Sequence, residues 1–404
     1  MNPSNNEQSL RTAISQVRAK AGSAYNPFPW YEKMRKESPV HYDDQASIWS
    51  VFLYEDVKRI LSDKDTFSNQ FFTVTRENSL SQTIFNMDPP KHTQIRSIVS
   101  RAFTPRVMKE WEPRIREITK ELLDQASHRN EIDLVKDFSH PLPVVIISEL
   151  LGVPAGHIDK FKEWSDILVS TPKDGSEEEI KRWMETKVRG ELELAEFFHG
   201  IIEEKRENPG NDIISILIQA EEEGMKLSAE ELVPFCNLLL VAGNETTTNL
   251  ISNAVFSILE TPGVYEELRN DLSLIPNAVE EALRYRAPAP ILQRVVKEDV
   301  EIRGKHLQKG QPLIVFVGSA NRDENKFDRA DVFDIHRHPN HHVAFGHGNH
   351  FCLGAPLARL EAEIALTELI KKYASLSLPE NFTVDAIENS AVYGLRSFPI
   401  LLAP

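Results

Sequence analysis

The sequence predicts a mainly α chain with small β-sheets, folded as a single large domain around a long central helix. Three observations predict it. Apolar residues recur at three- to four-residue spacing through segments that cover most of the chain. Strand-like runs are few and short. One nearly uncharged helical segment, 228–260, is long enough to cross the whole molecule.

Residues 1–20 (MNPSNNEQSLRTAISQVRAK) contain no apolar core of signal-peptide length and read as a flexible N-terminus. Residues 38–54 read as strand. Helical spacing follows over 89–127, 140–170, 177–207 and 210–222. Ser228 with Glu231 makes an S-x-x-E capping box that starts the next helix. At about 1.5 Å per residue, 228–260 is about 50 Å long. A compact chain of 404 residues is roughly 55 Å across. Such a helix must run through the centre, kinked at Pro234 or straight only beyond it, because an interior proline deletes a backbone hydrogen bond. A further helix over 262–286, strands over 293–303 and 312–318 with a turn at 304–310, and a last helix over 352–374 complete the pattern. No repeat or linker divides the chain, so 1–404 reads as a single domain.

Composition excludes several classes. Hydrophobic residues are 41% and charged residues 26%, a globular balance. The net charge of −15 argues against nucleic acid, which demands clustered Lys and Arg. Two cysteines, Cys236 and Cys352, make no disulfide framework and fit a reducing, cytoplasmic setting. Segment 232–259 is long enough to span a bilayer and carries one charge, Glu245. Asn237, Asn244, Thr246, Thr247, Thr248, Asn249, Ser252 and Asn253 crowd its middle, where lipid would penalise them. It reads as a buried helix, and no membrane span is expected.

Four constellations carry chemistry. Cys352 ends the loop Phe345-Gly-His-Gly-Asn-His-Phe-Cys-Leu-Gly354 and opens a helix, whose free N–H groups and positive end favour sulfur as an anion. Gly346, Gly348 and Gly354 let a flat ligand approach the backbone. Glu281 and Arg284 stand one turn apart on a helix and can pair. Ala242-Gly243-Asn244-Glu245-Thr246-Thr247 places a glycine and a carboxylate midway along the central helix, where both are costly without a task. His92 and Arg96 share a helix face. Cys236, within the apolar helix, reads as a small core residue.

The loop F-x-x-G-x-H-x-C-x-G resembles the haem-binding loop of the cytochromes P-450, and the other constellations follow in that family's order. The resemblance implies haem b (iron protoporphyrin IX) with the Cys352 thiolate as axial ligand of the iron. It implies propionate ligands at His92, Arg96, Arg294 and His350, with Phe345, Gly346 and Gly354 against the porphyrin. It further implies a buried Glu281–Arg284 pair joined by Arg337, a groove at Gly243 for dioxygen, and an acid–alcohol pair, Glu245 and Thr246, for proton delivery. Asn321-Arg322-Asp323 through Phe333 resembles the family's meander, but Glu324 and Ala330 stand where prolines are usual.

The activity implied is hydroxylation of a lipophilic small molecule (fatty acid, terpenoid or steroid-like) by O2 and two electrons. No flavin or ferredoxin module is visible, so NAD(P)H acts only indirectly, through a ferredoxin or flavodoxin-type donor. Lys91, Arg101, Arg106 and Lys109 form a candidate docking face. Candidate pocket residues are Phe71, Phe72, Val74, Ile84, Phe85, Leu238, Val241, Ala242, Ile291, Leu292 and Val392, with Arg76 as a possible carboxylate holder. A monomer is expected. Two other readings stand: a non-catalytic haem sensor or carrier, which has no need of Gly243–Thr246, and a zinc protein built on the histidines of 336–350.

Overall fold

The computed structural model describes residues 25–71, 83–170, 176–222, 229–387 and 391–403. The helices among them are α1 (Phe28–Glu37), α2 (Tyr54–Ser62), α3 (Lys91–Val99), α4 (Pro105–Ala126), α5 (Pro141–Leu150), α6 (Ile158–Val169), α7 (Glu177–Glu207), α8 (Ile213–Glu222), α9 (Ala229–Glu260), α10 (Val264–Asn270), α11 (Ile275–Tyr285), α12 (Val317–Ala320) and α13 (Ala355–Lys372). The strands are β1 (Val40–Asp43), β2 (Ile48–Val51), β3 (Phe67–Ser68), β4 (Glu131–Asp133), β5 (Leu292–Val296), β6 (Val300–Ile302), β7 (Lys305–Leu307), β8 (Pro312–Val315), β9 (Ser375–Ser377), β10 (Asp385–Ala386), β11 (Leu395–Ser397) and β12 (Pro399–Ala403). The fold is mainly α with small sheets, as the periodicity predicts.

Proline and glycine set the breaks inside the longer helical stretches. The stretch 89–127 divides at Thr104–Pro105, where the Thr104 hydroxyl accepts from Val107 N and caps α4. The stretch 140–170 divides at Gly152–Val153–Pro154, with Gly152 at φ +76°. The predicted 262–286 helix divides between α10 and α11, where Pro276 enters the first turn of α11.

The largest sheet runs β1-β2-β8-β5-β3, with β2 and β8 parallel and the other pairs antiparallel. A second sheet, β4-β12-β9, ties mid-chain residues to the C-terminus. The short pairs β6–β7 and β10–β11 complete the sheets.

α9 packs against α5, α6, α7, α11 and α13, so it lies at the centre of the helical layer. It is unbroken through Pro234, and its predicted cap, Ser228, lies outside the described residues. Several of its interior polar residues are buried and bonded to neighbouring elements, whereas Asn249 is fully buried with neither amide atom paired. Asn244 donates to Ser165 Oγ (2.5 Å), Ser252 pairs with Ser139 (2.7 Å), and Asn253 donates to the carbonyls of Arg286 and Tyr393 (3.3 and 2.9 Å). These bonds explain how an apolar helix tolerates amides and hydroxyls in the core. Among the described residues no helix is long and apolar enough to cross a membrane.

Candidate active site

The loop before α13 is folded onto itself by its own backbone. Cys352 N donates to Phe345 O (2.8 Å), Gly346 N to Val343 O (2.9 Å) and Phe351 N to Gly348 O (3.1 Å). Gly346 and Gly348 both sit at φ +73°, the left-handed region that favours glycine. At Gly348 space matters too: a Cβ would fall 2.8 Å from Leu61 O and 2.9 Å from Ser62 Cα. Gly354, by contrast, has φ −80° and no neighbour within 4 Å of a built Cβ. The folded loop brings Cys352 to the start of α13. Burial pushes its thiol pKa up, while the N–H groups of Gly354 and Ala355 and the charges of Arg96 and Arg359 pull it down.

Behind this loop stands a charge network. Glu281 and Arg284 of α11 are fully buried, and Arg284 donates Nε to Oε2 (2.8 Å) and Nη2 to Oε1 (2.7 Å). Arg337 Nε reaches both oxygens (3.2 and 3.1 Å), Asp334 N donates to Oε1 (2.8 Å) and Asn340 Nδ2 to Oε2 (3.1 Å). Arg284 also donates to the carbonyls of Asn321, Ala330 and Val332. The two positions that depart from the family's prolines are accommodated here. Ala330 supplies one of those carbonyls, and Glu324 accepts from Arg35 Nε (2.9 Å). The residue before Glu281, Glu280, takes His342 Nε2 (3.1 Å) and Arg359 Nε (2.6 Å), which hold its carboxyl down at about 2 despite burial.

Above the cysteine lies a cavity of about 290 Å³ between the loop, α9, β5 and the segment leading to α3. Cys352, Phe345, Gly346, Gly354, His350, His92, Arg96, Arg294, Gly243, Thr246, Phe71, Ile84, Phe85, Leu238, Ala242 and Leu292 all line it. Phe72, Val74 and Arg76 lie outside the described residues. Glu245, Val241, Ile291 and Val392 are not in the lining. Ile291 packs instead on the cluster of Tyr31, Ile48, Phe52, Ile314 and Phe316. Val392 is buried elsewhere, and Val241 packs against the core.

α9 is continuous at Gly243, so the groove implied by the resemblance is not a break in the helix. The glycine instead gives clearance, since nothing lies within 4 Å of a Cβ built there. The Thr246 hydroxyl donates to Ala242 O (2.7 Å). Burial pushes the Glu245 carboxyl up to about 7, against the opposing charges of His140 and Lys187.

One edge of the cavity gathers four basic side chains. The His92 and His350 rings are 4.0 Å apart, His92 is 2% exposed, and neither of its ring nitrogens has a hydrogen-bond partner. Burial, with the charges of His92, Arg294 and Arg96, presses His350 down to about 3, and burial with Arg96 lowers His92; burial alone brings Arg294 to about 10 and lowers Arg96. Asp88 is the carboxylate whose charge reaches His92 and Arg294, and it already accepts from Ser68 Oγ (2.6 Å) and Asn69 N (3.0 Å). A buried basic group of this kind calls for an anionic partner, and the two propionates that the resemblance implies would supply it. A thiol at a helix start, apolar walls and this basic edge together fit a haem.

Sequence reasoning missed Phe103, Phe235, Leu239 and Glu361, all of which line the cavity. Glu361 is 2% exposed, has one oxygen without a partner, and is pushed up to about 8 by burial alone. Its signal is a charge inside the apolar stripe Leu357, Ile364, Ala365 of α13. Among the described residues no group of three His, Cys, Asp or Glu side chains can hold a metal ion, so the histidines of 336–350 form no zinc site.

The sequence model described as Cytochrome P450 matches residues 15–400. The chain is 61% identical over 400 residues to the putative cytochrome P450 YjiB of Bacillus subtilis (strain 168), covering 99% of this chain and 100% of that one. It superposes on the crystal structure of the versatile cytochrome P450 enzyme CYP109B1 from Bacillus subtilis with a TM-score of 0.87 and 61% identity, over 94% of this chain and 100% of that one. CYP109E1 from Bacillus megaterium in complex with corticosterone gives a TM-score of 0.87 at 46% identity, over 94% and 98% of the two chains.

Proposed function

The chain belongs to the cytochrome P450 family of haem-thiolate monooxygenases, and on that premise we propose that it hydroxylates an uncharged, steroid-like lipophile with electrons from a separate ferredoxin or flavodoxin-type protein. The observation that carries the substrate class is the lining of the cavity. Toward α9 and the Phe71–Phe85 side its walls are Phe71, Ile84, Phe85, Phe235, Leu238 and Leu239. Among the described residues the lining cations all lie on the basic edge, where the haem propionates would be held. Among the described residues this wall carries no charge of its own, which favours a neutral hydrocarbon skeleton over a molecule anchored by a carboxylate. The relative crystallised with corticosterone lends the same support.

In this reading Cys352 holds the haem iron, and His92, Arg96, Arg294 and His350 hold the propionates. When bound, the haem supplies the chemistry that activates O2 for insertion into a C–H bond. The protein supplies orientation and protons. The apolar walls set the substrate above Cys352 and exclude water. Thr246 presents its hydroxyl to the cavity, and Glu245, one residue away and outside the lining, replenishes that proton from the side of His140 and Lys187. NAD(P)H feeds the donor protein, not this chain. Lys91, Arg101, Arg106 and Lys109 are exposed, as a docking face requires. Lys91 is partly neutralised by Glu231 (3.1 Å) and Arg106 by Glu110 (3.4 Å). The cytoplasm, where such donors and unpaired cysteines such as Cys236 persist, is the compartment this reading needs.

Titration of the haem-loaded protein with testosterone and with palmitate tests the substrate class. A high-spin shift of the Soret band at micromolar steroid, and turnover to a hydroxysteroid with a surrogate ferredoxin system, are expected. A shift and turnover with palmitate alone would overturn it.

A further inference from the structure

Behind the cysteine loop a second set of charges joins α11 to α13. Arg359 of α13 donates Nε to Glu280 Oε1 (2.6 Å) and Nη2 to Glu280 Oε2 (3.0 Å), a two-pronged bond between the helices. His342 Nε2 meets the same carboxylate at 3.1 Å, while Ala344 N donates to His342 Nδ1 (3.2 Å). Nδ1 is therefore the accepting nitrogen, and Nε2 carries the proton that Glu280 receives. The Arg359 guanidinium also lies over the Phe345 ring, 4.6 Å from its centroid. Phe345 lines the cavity, and its carbonyl accepts from Cys352 N (2.8 Å). Arg359, Glu280 and His342 are not in the lining. The cation is thus fixed by a carboxylate of α11 and by a ring of the loop, and it reaches the site through that ring.

An ion pair that merely tied two helices together would do so equally well anywhere along them. This one lies where its charge is felt at the sulfur. Together with Arg96, Arg359 pulls the Cys352 thiol down against burial. Glu280, on the other end of the pair, partly offsets that cation. The Arg359 and Glu280 side chains are 32% and 29% exposed, so solvent and salt screen the field and limit it to an effect of a few-fold.

We infer that Arg359 is a positioning residue of the haem-thiolate centre: its guanidinium, pinned by Glu280 and stacked on Phe345, holds positive charge beside the Cys352 sulfur and raises the potential at which the bound haem takes up an electron. This role rests on the haem-thiolate reading of the site. One-electron reduction, with the electron supplied by the separate donor protein, adds one negative charge to the centre, and a fixed cation nearby favours the reduced state. Glu280 works in the opposite sense, as an anion that orients Arg359 and offsets part of its charge.

Potentiometric titration of the full-length haem-loaded protein with dithionite, read by absorption, tests it. Arg359→Gln moves the midpoint to more negative potential, by about threefold or more in the reduced-to-oxidised ratio at a fixed potential, which is about 28 mV at about 59 mV per tenfold for one electron. Glu280→Gln moves it to more positive potential. Arg359→Lys, which keeps the charge but not the planar fork, falls between wild type and Arg359→Gln. Opposed shifts from the two partners of one ion pair are the signature of charge, since loss of a structural tie would affect both variants alike. The carbon monoxide spectrum of each reduced variant checks that sulfur still holds the iron. With that spectrum intact, unmoved midpoints in both Gln variants, or shifts in the same direction, would overturn the inference, and so would an Arg359→Lys midpoint as low as that of Arg359→Gln. If Arg359→Gln retains no haem, the sign of the shift in Glu280→Gln decides alone. A wild type without the thiolate spectrum would overturn the haem-thiolate reading itself, and this inference with it.

Discussion

Thr246 and Glu245 are neighbours in sequence with different surroundings. The Thr246 hydroxyl reaches the cavity while bonded back to Ala242 O, so it can swing between its own helix and a ligand without breaking the fold. Thr246→Ala should leave substrate binding within about twofold but divert oxygen consumption from product to hydrogen peroxide. Unchanged coupling of oxygen to product would remove Thr246 from proton delivery. Glu245 is held up to about 7 by burial, so its carboxyl carries a proton below neutrality and loses it above. Turnover should fall as pH rises through about 7, and Glu245→Gln should be slower and lack that limb. An identical pH profile in the variant would contradict the role. Gly243 and Glu245 were legible because a glycine and a carboxylate are costly in mid-helix, whereas Thr246 was legible only through the family resemblance. Glu361 breaks the same rule in α13 and passed unnoticed, because a single charge in an amphipathic helix resembles a solvated face.

At the scale of elements, α11 holds the segment that carries the cysteine loop. Glu281 lies under a fork of two arginines, an amide and a backbone N–H, and Arg284 spends its remaining donors on carbonyls of 321, 330 and 332. Removing one member strands a buried charge. Arg284→Ala should therefore lose about 3–5 kcal/mol in urea unfolding, with a fall in retained haem. Arg284→Lys should not rescue it, since an ammonium lacks the planar fork. Full stability in Arg284→Ala would show the network to be incidental. The E-x-x-R spacing made the pair visible, and α9 was visible from its length and lack of charge. Facing was not visible. Leu292 lines the cavity whereas Ile291 turns to the other hydrophobic cluster, because sides alternate along an extended segment and which side is inner depends on tertiary packing. The helix breaks at Gly152–Pro154 and before Pro276 were likewise inside stretches that periodicity alone runs together.

At the scale of the molecule, the long central helix, the loop and strand β5 converge on one cavity, with apolar walls on one side and a basic edge on the other. A sensor or carrier of haem would use the loop and the basic edge. It would have no use for the clearance at Gly243 or for a carboxyl poised near neutrality behind it. The whole arrangement depends on sulfur as the iron's ligand. The most direct measurement is the absorption spectrum of the dithionite-reduced protein under carbon monoxide. The account predicts a Soret band displaced far to the red in the wild type and its loss in Cys352→His. A carbon monoxide complex without that displacement in freshly prepared wild type, or one that survives Cys352→His, would contradict it.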